Sequence, residues 1–98
     1  MEKSSAHYKL SVVRRLVVEG RVRLTASAAE GVFNMGLREK DAVDVVSRLQ
    51  PADLYKSMTT YTDHRIWQDV YHPITPFGAI YLKLTVVDDV LIVSFKVR

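Results

Sequence analysis

Two alternating segments near the C-terminal end of this chain constrain its fold more than any other feature. In residues 80–86 and 91–97, apolar side chains occupy every second position. This spacing is typical of β-strands that have one buried face and one exposed face. Asp88 and Asp89 lie between the two segments and suit a tight turn, so the sequence predicts a β-hairpin.

A two-residue turn at Asp88 and Asp89 also predicts the register of this hairpin. Such a register gathers the apolar residues on one face, and a four-residue turn would keep the same residues there. On the other, polar face, Tyr81 would lie opposite Lys96. The expected apolar pairs are Leu82 with Phe95, Leu84 with Val93, and Val86 with Leu91.

Three short amphipathic helices are predicted in the first half of the chain. Gly20 should end the first helix and Pro51 the third, because these residues interrupt helical geometry. Ser27, with Glu30 three residues later, matches a capping box that would open a second helix stopping near Gly36. The apolar stripes of the first and third helices are Leu10, Val13, Leu16 and Val17, and Ala42, Val45, Val46 and Leu49.

Residues 53–73, DLYKSMTTYTDHRIWQDVYHP, are more polar and aromatic than the segments around them. Residues 54–59 and 66–71 have the character of strands, joined by a polar loop at residues 61–65. Helices followed by mostly antiparallel strands predict an α+β fold, with the short helices packed on one face of the sheet. The 98 residues suffice for a single core, so we expect one domain spanning residues 1–98.

The charge and composition of the chain limit the kinds of partner that it can have. The net charge is +3, and residues 1–40 carry eight Lys and Arg against four acidic residues. A mildly basic protein is compatible with a nucleic-acid partner. The absence of Cys excludes disulfides and thiolate metal sites, and it fits a reducing compartment. No segment has the pattern of a targeting or membrane-spanning sequence, so a cytoplasmic protein without a membrane partner is expected.

Several common catalytic and metal-binding patterns are missing. His64 and His72 have no Cys or further His close by in the sequence, so we expect no metal site. There is no Gly-x-Ser-x-Gly nucleophile motif and no glycine-rich phosphate loop. A small enzyme that used Asp63 and His64 would have only this neighbouring pair in its favour.

A polar set of residues lies on or near the exposed sides of the predicted strands: Lys56, Gln68, Tyr81 and Lys96. Such a set can be an ordinary solvated face, because Lys–Tyr pairs occur on exposed sheets. It can also be a site that cleaves RNA. A phosphodiester needs cations to bind it, and it needs groups that move protons to and from the 2′-OH and the 5′-oxygen. Lysine, tyrosine and glutamine supply these roles without a metal.

Other aromatic and basic residues have a structural or a functional interpretation. Tyr61, in the predicted loop, is suited to stacking on an unpaired base. Trp67 is expected in the core, because a lone tryptophan in a small domain commonly anchors packing. Arg14 and Arg15 lie on the first predicted helix, where they form either a solvated surface or an RNA-binding surface with affinity for phosphate.

The run DLYKSMTTYTDHRIWQDVYHP, followed by IYLKLTVVDDVLIVSFK, resembles the motility quorum-sensing regulator toxins, the MqsR family. Members of that family are mRNA interferases of type II toxin–antitoxin systems and are distantly related to RelE-like ribonucleases. The MEK start and His7 are similar as well. The resemblance implies a RelE-like fold and an endoribonuclease that needs no metal or other cofactor, inhibits translation and arrests growth.

The resemblance also implies site residues and a cleavage preference. The matching catalytic or RNA-binding positions are Lys56 in YKSMTTY, Gln68 in IWQDVY, Tyr81 in IYLK and Lys96 in VSFK. Cleavage by 2′-OH attack at GC-containing sites such as GCU is implied for the family. His72 is the one potentially cationic group in HPITPFGA, and we expect it to contact RNA and to alter the groove in this member.

The expected partners are the mRNA substrate and an MqsA-type antitoxin. The family implies an antitoxin with a zinc-binding N-terminal domain and a helix-turn-helix C-terminal domain, and operator DNA would be contacted only through it. The alternative is a basic RNA- or protein-binding regulatory domain without cleavage activity. The intact set of lysine, glutamine and tyrosine residues favours the enzyme.

Overall fold

The computed structural model describes residues 1–98 and confirms the α+β class. The helices precede most of the strands, as the spacing of apolar residues predicts. In chain order the elements are β1 (Glu2–Lys3), α1 (Leu10–Val18), β2 (Val22–Leu24), α2 (Ala26–Asn34), α3 (Glu39–Ser47), a 3₁₀ turn (Pro51–Asp53), β3 (Leu54–Thr59), β4 (Trp67–Tyr71), β5 (Ile74–Thr75), β6 (Gly78–Val87) and β7 (Asp89–Val97).

The seven strands form a mostly antiparallel sheet, in the order β1-β3-β4-β6-β7-β2, with the short β5 paired to β6. Strand β2 is the exception, because it runs parallel to β7. The two outermost strands, β1 and β2, come from the first half of the chain, where the sequence predicts only helices. Each has three residues or fewer, which is too short for alternation to be recognised.

The core lies between the three helices and one face of the sheet. Leu82 and Leu84 of β6 meet Val13 of α1 and Val46 of α3 there, and all four side chains are fully buried. The predicted stripe of α3 is confirmed, since Ala42, Val45, Val46 and Leu49 are all buried. Gly20 ends the first helix, as predicted, in a left-handed conformation with φ of +72°.

The predicted capping box of α2 is wrong. The residue that caps the helix is Thr25, whose Oγ1 accepts the Ala28 N–H at 3.1 Å. The same hydroxyl donates to the Val93 carbonyl at 2.9 Å, which ties the start of α2 to β7. Ser27 therefore lies inside the first turn of the helix. The tertiary bond to β7 selects Thr25 over the local Ser-x-x-Glu pattern.

The hairpin of β6 and β7 is confirmed, but half of its predicted register is wrong. Tyr81 lies opposite Lys96 and Leu82 opposite Phe95, as expected. The register then shifts, so that Leu84 lies opposite Ile92 and Val86 opposite Val90.

This shift places an extra residue, Val93, in β7 and reverses which side chains reach the core beyond it. Val90 and Ile92 are fully buried, whereas Leu91 and Val93 are only partly so. The turn causes the shift, because Asp88 alone occupies its tip with φ of +64°. Since the residues from Val90 to Val93 are all apolar, alternation could not reveal this bulge.

Candidate active site

The face of the sheet opposite the helices carries the predicted catalytic residues. In β6, Tyr81 and Lys83 alternate with the buried Ile80, Leu82 and Leu84, so these two side chains point away from the core. Their partners in β7 are Lys96 and Ser94, which share that face.

The neighbouring strands β4 and β3 extend the same face. Val70 of β4 is the cross-strand partner of both Lys83 and Lys56, and Gln68 lies two residues before it. The structure therefore brings the four predicted residues onto one surface. We call this surface the lysine face, and it consists of Lys56, Gln68, Val70, Tyr81, Lys83, Ser94 and Lys96.

Tyr81 is at the centre of a cationic and aromatic row. The Lys96 Nζ lies 5.0 Å from the centroid of the Tyr81 ring, within the range of a cation–π contact. On the other side, the His72 ring lies 5.7 Å from Tyr81 and stacks on Tyr55 at 4.4 Å. Flat rings beside an ammonium group offer stacking for bases and a charge for phosphate.

His72 lies beside the lysine face, and its surroundings favour the neutral form of its imidazole. Burial, and to a lesser degree the charge of Arg98, lower the pKa of its imidazole below the ordinary value of 6.5. A neutral ring stacked on Tyr55 is suited to base stacking or a single hydrogen bond, whereas the cationic contact considered for it requires a protonated ring.

Lys56 is held by an acidic partner from the N-terminal strand. Its Nζ lies 2.7 Å from a Glu2 carboxylate oxygen, and this contact raises the pKa of Lys56 while it lowers the pKa of Glu2. Strand β1 places Glu2 opposite Met58 of β3. The N-terminal residues therefore belong to the surroundings of the site, although no local pattern in the sequence connects them.

The segment after β1 is fixed by a buried carboxylate. Asp69 is fully buried and accepts the N–H groups of His7 and Tyr8, each at 3.0 Å. Trp67 stacks on the His7 ring at 5.1 Å, and the Lys3 Nζ lies 4.2 Å from the Trp67 centroid.

The prediction that Trp67 belongs to the core is therefore wrong. The residue is partly exposed and stands outside the main buried cluster. This end of the sheet is covered by the N-terminal segment, because the His7 ring and the Lys3 ammonium group lie on Trp67.

Lys83 is the charged residue of this face that the sequence did not single out. It is partly buried, and both its burial and the nearby charge of Lys96 lower its pKa. The signal that could have found it is the alternation itself, since Lys83 follows Tyr81 by two residues in IYLKL. Its strand partner Val70 is fully buried although it stands outside the main core cluster.

The other predicted RNA-binding residues lie outside the strands that form the lysine face. Tyr61 is 99% exposed in the β3–β4 loop. Arg14 and Arg15 are on α1, on the helical side of the sheet. Arg14 donates from Nη2 to the Leu49 carbonyl at 2.6 Å, at the end of α3, and Arg15 lies 3.9 Å from Glu19. Any RNA contact of these arginines would thus be separate from the lysine face.

The pair of Asp63 and His64 is not arranged as a catalytic pair. The Asp63 carboxylate accepts two bonds from the Arg65 guanidinium, at 3.0 and 3.1 Å, and this contact lowers the pKa of Asp63. His64 is exposed in the same loop. No group of three or more potential metal-ligating His, Cys, Asp or Glu residues occurs in the structure.

Two concave surfaces differ in their relation to the site. A mostly apolar groove of about 400 Å³ lies on the helical side, lined in part by Tyr8, Leu10 and Tyr71. A more polar cleft of about 300 Å³ lies between α2 and β7 and includes Asn34 and Lys96. Only the second borders the lysine face. None of the helices is long and apolar enough to span a membrane.

Comparison with known proteins identifies the family to which the chain is similar. A family model described as "Motility quorum-sensing regulator, toxin of MqsA" matches residues 5–97. The chain is also 52% identical over 96 residues to the mRNA interferase toxin MqsR of Escherichia coli (strain K12), and the match covers 98% of each protein. The matched region includes every residue of the lysine face.

Proposed function

This chain belongs to the family of motility quorum-sensing regulator toxins, and from that membership we propose that it is an mRNA interferase, an endoribonuclease that cuts messenger RNA. Cleavage of mRNA would stop translation and arrest growth, and it would take place in the cytoplasm. The observation that carries the proposal is the placement of four side chains on one face of the sheet: Lys56, Gln68, Tyr81 and Lys96.

The proposed reaction is an internal transfer at one phosphodiester of the RNA. The 2′-oxygen bonds to the adjacent phosphorus, and the bond from phosphorus to the 5′-oxygen breaks. One proton leaves the 2′-OH and one is delivered to the 5′-oxygen, so the products are a 2′,3′-cyclic phosphate and a 5′-hydroxyl end. The step needs positive charge at the phosphate and proton-transfer groups on both sides of it, but no metal ion.

The lysine face supplies groups for each of these needs. Lys56 or Lys96 binds the phosphate and stabilises the charge that develops on it, since an ammonium group is a strong donor to phosphate oxygens. Tyr81 or Lys96 assists proton transfer, and the 5.0 Å contact between them would lower the free energy of the charged lysine. Gln68 donates to the RNA and orients it.

The cleavage sequence is proposed by family to contain GC, as in GCU. Recognition of unpaired bases relies on stacking and on hydrogen bonds to base edges. The row of Tyr55 and His72 beside Tyr81 offers the stacking surface. Tyr61, in its exposed loop, is a further candidate for base stacking.

The proposed protein partner is an antitoxin of the MqsA type, which the family description names. We propose that it has a zinc-binding N-terminal domain and a helix-turn-helix C-terminal domain, and that it alone contacts operator DNA. A neighbouring gene that encodes paired CxxC motifs and a helix-turn-helix would support this partnership.

The function is tested by induction of the wild-type protein beside Lys56→Ala and Tyr81→Phe, with transcript 5′ ends mapped. We expect growth arrest and new 5′ ends for the wild type only, with cleavage by the purified protein unaffected by EDTA. Lys40→Ala, an exposed lysine at the start of α3, is the matched control and should behave as wild type.

Two outcomes would reject parts of the proposal. If folded Lys56→Ala and Tyr81→Phe still produced the same new ends, the assignment of the site would be wrong. If the wild type bound RNA without cutting it, the protein would be a regulatory binding module.

A further inference from the structure

We propose that Lys83 is a fifth functional residue of the lysine face, and that its ammonium group binds the scissile phosphate together with that of Lys96. The inference rests on the proposed function and deepens it. The ligand of the two lysines is the phosphate anion of an RNA phosphodiester.

The geometry places Lys83 between the residues already assigned. It is two residues from Tyr81 along β6, and its partners are Val70 in β4 and Ser94 in β7. Lys96 is two residues beyond Ser94, so Lys83 and Lys96 are diagonal neighbours on one face. Side chains in this relation are within reach of a common ligand when they are as long as lysine.

The charges around Lys83 leave its ammonium without a counter-ion. Lys56 has Glu2, but neither Lys83 nor Lys96 takes part in any ion pair of the protein. The Lys83 side chain makes no hydrogen bond either, and since no buried polar side-chain atom of the protein lacks a partner, its ammonium group is accessible to solvent and to a ligand. Two neighbouring ammonium groups, one of them partly buried, raise the free energy of the empty site unless an anion lies between them.

The pKa of Lys83 supports the same conclusion. Burial lowers it first, and the charge of Lys96 lowers it further. A phosphate bound to both lysines would reverse the second effect, because an adjacent anion favours the charged form. A bound phosphate would therefore raise the pKa of Lys83.

A purely structural role for Lys83 would come from its aliphatic stem. Val70 is fully buried on this otherwise polar face, and its cross-strand partners Lys56 and Lys83 are the side chains placed to cover it. Methionine keeps a long apolar stem but removes the charge. The variant Lys83→Met should therefore still cover Val70 but should no longer bind phosphate.

The experiment compares Lys83→Met and Lys83→Arg with the wild type, and uses Lys40→Met as a control that removes one exposed lysine elsewhere. The substrate is a short single-stranded RNA copied from a cleavage site mapped for the wild type. An analogue with a 2′-deoxy sugar at the cleaved nucleotide cannot react and reports binding alone.

We expect Lys83→Met to cleave roughly 100- to 1,000-fold more slowly, as for the loss of one preorganised charged donor. Its binding to the analogue should lose about 0.7 from the slope of log affinity against log salt, the value for one phosphate contact on a single strand. Lys83→Arg should recover part of both losses. The free energy of unfolding of Lys83→Met should equal or exceed that of the wild type, because a partly buried charge is removed.

A second measurement follows the Lys83 Nζ by NMR during titration with inorganic phosphate. We expect the pKa of Lys83 to rise in the wild type, and to rise less in Lys96→Met. An unchanged Lys83 pKa at saturating phosphate would overturn the inference, as would a Lys83→Met variant that cleaves and binds like Lys40→Met. In either case the proposed nuclease stands if the wild type cuts RNA, whereas a wild type that cuts nothing rejects the function itself.

Discussion

The two faces of strand β6 differ completely, although their residues alternate along one backbone. Leu82 and Leu84 are fully buried against the helices, whereas Tyr81 and Lys83 belong to the lysine face. We call the face packed against the helices the covered face. Its buried polar groups have hydrogen-bond partners: the Asp69 carboxylate, for example, accepts the N–H groups of His7 and Tyr8. On the lysine face, two ammonium groups have no acidic partner.

This difference indicates where stability and chemistry reside. Apolar burial on the covered face stabilises the fold, since each large core side chain contributes about 1.5–3 kcal/mol. The unpaired charges of the lysine face contribute nothing of that kind and are suited to an external ligand. Unsatisfied groups at functional sites are a common cost in stability. Adjacent residues of one strand should therefore respond to substitution in opposite ways.

The largest expected effects separate the neighbours Tyr81 and Leu82. Tyr81→Phe removes one hydroxyl from the lysine face and should slow RNA cleavage by roughly 100- to 10,000-fold, the range for loss of a proton-transfer group. Its free energy of unfolding should stay unchanged. Tyr61→Phe, in the exposed loop, is the control for the loss of a phenol. Cleavage by Tyr81→Phe within threefold of the wild type would contradict a role in proton transfer.

Leu82→Ala should show the reverse pattern. The side chain is fully buried, so its truncation should lower the free energy of unfolding by about 2–5 kcal/mol in urea titrations. Cleavage per folded molecule should remain close to that of the wild type. Val87→Ala, at an exposed position of the same strand, is the matched control and should change stability little. A large loss of activity in folded Leu82→Ala would show that the two faces are not independent.

Gly31→Ala should lower both the stability of the protein and its rate of RNA cleavage. A Cβ at this position of α2 would overlap the Phe95 carbonyl oxygen, so the helix or the end of β7 must shift. We expect a loss of about 1–3 kcal/mol in the free energy of unfolding, typical of overpacking. Since Lys96 follows Phe95, cleavage should fall as well. Ser27→Ala, an exposed position of α2 in the same cleft as Gly31 and Lys96, should change neither. If Gly31→Ala also changed neither, β7 would be able to shift without cost.

A smaller effect should appear on the covered face at high pH. Burial, and to a lesser degree the charge of Asp69, raise the pKa of Tyr71 from 10.0 to about 12. Between these values the unfolded phenol loses its proton while the folded one keeps it, so the free energy of unfolding falls as pH rises. Urea titrations from pH 9 to 12 should show a weaker fall for Tyr71→Phe. Tyr61→Phe should follow the wild type, and an identical fall for Tyr71→Phe would contradict the raised pKa.

The smallest expected effect concerns the ion pair at the edge of the lysine face. Glu2→Gln removes the carboxylate that raises the pKa of Lys56, so this pKa should fall toward the ordinary value of 10.5. NMR titration of the Lys56 Nζ measures the change, with Glu39→Gln on α3 as the control. The pKa of Lys83, which has no such partner, should stay the same. A Lys56 pKa that did not change would show that Glu2 does not pair with it in solution.

The sequence predicted those parts of the fold that depend on local periodicity. Strand β3 has the bounds expected from residues 54–59, and the stripe of α3 reaches the core as its spacing indicates. The pairing of Tyr81 with Lys96 also followed from alternation and a short turn. The placement of the four candidate residues on one face also followed, because alternation sets the facing of a strand. Their catalytic role, which the family motif implies, stays a prediction.

The sequence could not predict features that depend on contacts between distant segments. The bulge at Val93 accompanies the one-residue turn at Asp88, and four consecutive apolar residues concealed it. Trp67 was assigned to the core because its size favours burial, but the N-terminal segment covers it only in part.

By itself, the sequence determined the class of the fold and the sidedness of its strands, because alternation with a period of two needs no knowledge of distant residues. Only the tertiary structure decided which charges meet on the lysine face. Glu2 reaches Lys56 across 54 residues of chain, and Lys83 remains without an acid because no element brings one to it. The free energy of a charge depends on what surrounds it in space, and that is settled when the strands pair.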